Sequence, residues 1–123
     1  MAHDVFVSYS IEDKLVADTV VTRLENQGIR CWFAPRDITE SSSWGENIIN
    51  AIGASRFMVI ILSNNSNQSK QVVREVERAV ANNVILIPFR IEDMQPFGAM
   101  AYFLSSENWI DAITNTFEDH IQK

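Results

Sequence analysis

Along this chain, short apolar runs alternate with stretches whose apolar residues recur at helical spacing. Val5 to Tyr9, Ile29 to Phe33, Phe57 to Leu62 and Val84 to Phe89 are short, apolar and rich in β-branched residues, which predicts four strands. The third and fourth are nearly continuous in Val, Ile and Leu, so both of their faces need covering, as in a parallel sheet between helices. A weaker fifth strand is expected near Ala101 to Leu104.

Helical stretches fill the intervals. Ser10-Ile11-Glu12-Asp13 has the form of a helix start, an N-cap serine with an acid three residues on, and Val16, Val20 and Leu24 then recur on one face until Gly28 stops the helix. Further helices are expected from about Trp44 to Ala54, from about Ser69 to Asn82, and from about Asp111 to the end, with Asn64 to Ser69 as a polar loop. The order βαβαβαβ with short, right-handed connections predicts an α/β fold, a flavodoxin-like doubly wound parallel five-stranded sheet flanked by helices. The last helix meets no Gly or Pro stop. The expectation is a single domain over 1–123, excised from a longer protein or forming its N-terminal part; a short chain with a frayed final helix is the other reading.

Composition narrows the function classes. With 46% hydrophobic and 21% charged residues, 123 residues suit one globular domain, and a formal net charge of -6 argues against non-specific nucleic-acid binding. The single cysteine, Cys31, lies in an apolar strand and reads as a small buried hydrophobe; with no second thiol to pair with, it points to a reducing compartment and a cytoplasmic location. No apolar run approaches the roughly 18 residues of a membrane span, and the amino terminus lacks a signal-peptide layout.

In folds of this topology, sites form at the carboxyl ends of the strands. Gly28, Gly45, Gly53 and Gly98 are scattered and none follows the first strand, which excludes a phosphate-cradling glycine loop there. Phosphoacceptor receiver domains carry acids after the first strand and an aspartate ending the third, where this chain has Ser8-Tyr9-Ser10 and Ser63-Asn64. His3 and His120 stand at opposite ends with no His or Cys at ligand spacing, so no metal site is expected.

Asp4-Val5-Phe6-Val7-Ser8-Tyr9-Ser10, then Trp32-Phe33-Ala34-Pro35-Arg36-Asp37-Ile38 closed by Trp44, then Ser69-Lys70-Gln71-Val72-Val73-Arg74-Glu75, resemble in order and spacing the motifs of Toll/interleukin-1 receptor (TIR) domains of bacterial or archaeal type. Trp109-Ile110-Asp111 is similar to the family's third box, where the aromatic supports the fold. The resemblance implies an NAD glycohydrolase in a signalling or defence pathway, with NAD as substrate, no further cofactor, and activation by self-association. It also implies a fused or partner sensor domain. The alternative is a non-catalytic TIR-TIR interaction module.

The family match places the catalytic carboxylate at Glu75. Glu75 and Glu77 lie about 200° apart on a helical wheel, at opposite margins of a valine stripe, so only one faces a cleft and the pattern does not choose. Each also has an arginine at helical spacing, Arg78 or Arg74, and surface ion pairing is the bland alternative. A carboxyl near its ordinary value of about 4.3 would be ionised at neutral pH and able to oppose positive charge on a ribose.

By the same resemblance, Tyr9, Ser10, Arg36, Trp44, Ser69 and Gln71 are substrate-binding candidates. Ser10 otherwise caps a helix, Trp44 otherwise anchors one, and Arg36 otherwise pairs with Asp37 and Glu40. Arg36, Asp37, Ile38, Thr39, Glu40 and Ser41 form the BB loop expected to serve self-association. This loop has Glu40-Ser41 where the family commonly has Pro-Gly, and Gln71 stands where an aromatic is frequent.

Overall fold

The computed structural model describes residues 4–34, 44–92, 94–96, 98–104 and 110–111. Five strands form one parallel sheet in the order β2-β1-β3-β4-β5. They are β1 (Val5–Ser8), β2 (Cys31–Trp32), β3 (Phe57–Leu62), β4 (Ile85–Arg90) and β5 (Ile110–Asp111). This is a doubly wound order, as expected from the alternation, and its reversal point lies between β1 and β3.

The helices are α1 (Lys14–Asn26), preceded by a 3₁₀ turn at Ile11–Asp13, then α2 (Trp44–Ala54), α3 (Asn64–Gln68), α4 (Lys70–Ala81) and α5 (Ala99–Leu104). Among the described residues, no helix is long and apolar enough to cross a membrane.

Alternation along the strands sorts the core into two layers. Phe6, Met58, Ile60, Leu62 and Leu86 pack on one face with residues of α2, α4 and α5, and Phe6 stacks on Trp32 with centroids 5.1 Å apart. Val5, Val7, Val59, Ile61 and Phe89 pack on the other face against Ala17, Val20 and Val21 of α1. The face of α1 is therefore centred on these three residues, and Val16 and Leu24 flank it half-buried.

Two helix ends use left-handed residues to close the backbone. Gly28 has φ +82°, and the amide of Ile29 donates back to Leu24 at 3.0 Å. Asn83, at φ +60°, does the same after α4, with Val84 donating to Ala79 at 2.9 Å.

Three expectations need correcting. Ala101 to Leu104 belongs to α5: Met100 and Leu104, four apart, are fully buried while Tyr102 between them is exposed, a helical period that the uniformly apolar stretch hid. The fifth strand is Ile110–Asp111, which pairs with Phe89 and Arg90; Asp111 therefore lies in a strand where a helix start was expected, and the rest of that expected helix, residues 112–123, falls outside the described set. Within the expected polar loop, Asn64–Gln68 forms α3. Ser63 Oγ accepts from the Ser66 amide at 3.0 Å while Ser66 Oγ accepts from the Ser63 amide at 2.8 Å, a reciprocal cap that nucleates the turn.

Candidate functional site

Beyond the carboxyl end of β1, the chain turns away from the sheet and leaves a cleft of about 590 Å³, a size suited to a small-molecule ligand. Tyr9, Ser10 and Glu12 form one wall, and Asn65, Gln68, Ser69, Gln71 and Glu75 form the other. A buried hydrogen bond also ties the start of α1 to the end of β3. Asp13, buried at the start of α1, accepts a hydrogen bond of 2.5 Å from Ser63 Oγ at the end of β3.

Glu75 lies on α4 beside the buried Val72, Val76 and Ala79, and only 8% of it is exposed. Glu77, at the opposite margin of the apolar stripe, faces solvent. The structure thus separates the two acids that the helical wheel left open. Both oxygens of the Glu75 carboxylate are engaged: Oε1 accepts from Ser8 Oγ at 2.8 Å and Oε2 from Gln71 Nε2 at 2.9 Å. A surface pair with Arg78 is therefore not what occupies this carboxylate.

Burial pushes the Glu75 carboxyl above its ordinary value, and the hydrogen bonds from Gln71 and Ser8 oppose that rise. This corrects the expectation of an ordinary carboxyl. The cause is desolvation: helix α4 lies against the end of the sheet, so the group has exchanged water for two neutral donors.

The other candidates divide by element. The Tyr9 phenol donates to the carbonyl of Ala34, tying the end of β1 to the segment after β2, and its ring lies 6.2 Å from that of Phe33. Burial raises the Tyr9 phenol, and the negative charges of Asp18 and Glu75 add to this, so the hydroxyl stays protonated as a donor. Ser10 stands at the N-cap position of the 3₁₀ turn, but its hydroxyl makes no capping bond and donates instead to the Glu12 carboxylate, which is thereby lowered. Ser69 is the N-cap of α4, its Oγ accepting from the Val72 amide at 3.2 Å while the residue lines the cleft.

Five of the candidates, Tyr9, Ser10, Ser69, Gln71 and Glu75, thus share one cleft. Arg36, Asp37, Ile38, Thr39, Glu40 and Ser41 lie outside the described residues, as do Trp109 and the side chain of Trp44. Sequence reasoning missed Ser8, which is fully buried and touches the carboxylate directly. The available signal was a polar residue closing the Val5-Phe6-Val7 run in register with Phe6, on the face that α4 covers. Among the described residues, no group of three or more His, Cys, Asp or Glu is placed to hold a metal ion.

A family model for the TIR domain matches residues 5–123. The chain is similar to the Stimulator of interferon genes protein of Magallana gigas, 29% identical over 74% of this chain and 25% of that protein. It is also similar to the NAD(+) hydrolase TcpA of Theionarchaea archaeon (strain DG-70-1), 24% identical over 92% of this chain and 38% of that protein. The chain therefore spans well under half the length of these curated relatives. Among solved structures, the TIR domain of the Toll-related receptor TRR-2 from Hydra magnipapillata superposes with a TM-score of 0.79 at 25% identity, covering 91% of this chain and 86% of that one.

Proposed function

This chain belongs to the TIR-domain family, and we propose that within it the chain acts as an NAD glycohydrolase, cleaving the bond between nicotinamide and ribose. The observation that carries the reading is Glu75, a buried carboxylate held on both oxygens at the edge of the cleft. The name of the archaeal relative, an NAD(+) hydrolase, supports it.

Cleavage sends the electron pair of the C1′–N1 bond to the pyridinium nitrogen, so nicotinamide leaves neutral and needs no general acid. Positive charge then builds on C1′ and the ring oxygen, as in glycoside hydrolysis, and the Glu75 carboxylate opposes it from a site where little water screens the attraction. Water adds to C1′ and gives up a proton, yielding ADP-ribose. An adenine nitrogen adding instead gives a cyclic product. A carboxylate raised by burial is the better acceptor for that proton.

Tyr9, Ser10, Ser69 and Gln71 supply donors and acceptors for the ribose and amide groups, with Arg36 and Trp44 assigned to the phosphate and base. The loop from Arg36 to Ser41 serves self-association, which activates the enzyme in a cytoplasmic signalling or defence pathway under a fused or partner sensor domain.

A second reading, an interaction module without catalysis, draws on Ile11, which lines the cleft and is 68% exposed, and on Leu15 of α1, which is 84% exposed. Nicotinamide release from NAD at high protein concentration with a crowding agent, comparing the wild type with Glu75→Gln, separates the two. Turnover in the wild type alone is the expected result. Equal turnover in the variant removes Glu75 from the chemistry, and no turnover in a self-associating sample selects the interaction module.

A further inference from the structure

Ser8 and Gln71 hold the two oxygens of Glu75 in very different ways. Ser8 is fully buried at the end of β1, in register with Ile60 of β3, and its side chain has a single heavy-atom torsion. Gln71 is exposed, reaches Oε2 from one helical turn earlier, and borders both the cleft and a second groove between α2 and α4. A short side chain fixed to the sheet cannot leave; a long one at the surface can, and the adjoining groove gives it room.

We propose that Ser8 is a positioning residue that fixes the Glu75 carboxylate through Oε1, and that Oε2, covered by the Gln71 amide, is the oxygen surrendered to the ribose hydroxyls when substrate enters. The assignment rests on the NAD-cleaving reading for its second half only. The first half needs nothing but the hydrogen bond and the burial.

With Oε1 pinned at 2.8 Å, the carboxylate plane is set before substrate arrives, and only Oε2 exchanges partners. The other groups around Glu75 are the Tyr9 phenol from the end of β1, Glu12 from the 3₁₀ turn, and Arg74 and Arg78 from α4 itself, on the groove side. Helix α2 contributes Gly45 and three isoleucines, and α3 contributes the neutral Asn65 and Gln68. Both hydrogen bonds favour the ionised carboxylate, so each should hold its titration down.

Two readouts test this in Ser8→Ala and Gln71→Ala. The first follows the Glu75 carboxyl carbon by NMR through a pH titration and requires no turnover; both variants should titrate at higher pH than the wild type. The second is the pH profile of nicotinamide release, where kcat/KM reports the free enzyme and kcat the bound complex. Ser8→Ala should move the acid limb of both to higher pH and lower kcat by about 10- to 100-fold, the loss of one hydrogen bond to a charged group. Gln71→Ala should move the limb of kcat/KM alone, since bound substrate has already displaced that amide. Ser8→Thr, which keeps the hydroxyl, should return the titration toward the wild type and guards against a packing defect. A wild-type titration in Ser8→Ala overturns the positioning role, and a shift of both limbs in Gln71→Ala overturns the exchange at Oε2. If the carboxyl titrates as stated but the wild type releases no nicotinamide, the NAD reading fails while the positioning by Ser8 stands.

Discussion

Glu75→Gln replaces one carboxylate oxygen by an NH2 group and keeps the shape of the side chain. The amide oxygen can still accept from Ser8, and the new NH2 can meet the oxygen of the Gln71 amide once that exposed side chain turns over. The charge is what disappears. Because burial raises the Glu75 carboxyl, the folded chain keeps this proton at pH values where the unfolded chain has lost it. Stability from this group is therefore complete below the ordinary carboxyl value and declines as pH rises through the raised one. Every tenfold tightening of proton retention corresponds to about 1.4 kcal/mol lost once the group ionises. The variant escapes that loss. Near neutral pH it should melt higher than the wild type, by about 3–6 °C for each kcal/mol recovered in a chain of this length. Thermal unfolding followed by circular dichroism across a pH series reads the difference, which should be small near about pH 4 and widen on going to neutral. Glu77→Gln makes the same change in net charge at an exposed position and serves as the control for that change. A Glu75→Gln variant that melts below the wild type at neutral pH, or a difference that stays flat with pH, would refute the burial argument.

Ser63→Ala removes both the cap of α3 and the 2.5 Å bond to the buried Asp13, and should cost about 2–4 kcal/mol, read as a lower urea midpoint at unchanged slope. Gly28→Ala meets no atom within 4 Å, so its cost is backbone strain alone at φ +82°, about 1–2 kcal/mol in the same assay. Asn83→Gly at the equivalent position after α4 should be neutral or slightly stabilising.

Which parts of this molecule were legible in its sequence follows from the range of the interactions that decide them. The strands β1, β3 and β4 were readable because apolar β-branched runs announce burial on both faces, and the close of α1 because Gly28 carries local backbone chemistry. Segment 101–104 misled because an apolar stretch without polar contrast has no visible period, and α3 because its cap uses Ser66 where the recognised pattern has Glu or Gln.

The site divides along the same line. That Glu75 and Glu77 flank the valine stripe is a property of one helix; which margin meets the end of β1 depends on how α4 lies across the sheet. The contact that settles it joins residues 67 apart in sequence, Ser8 and Glu75. Burial of the carboxylate comes from that docking as well, so its raised proton affinity could not be read from spacing. The charge that the fold must bury and the charge proposed to meet the ribose are one group, and the melting and turnover of Glu75→Gln should therefore move in opposite directions.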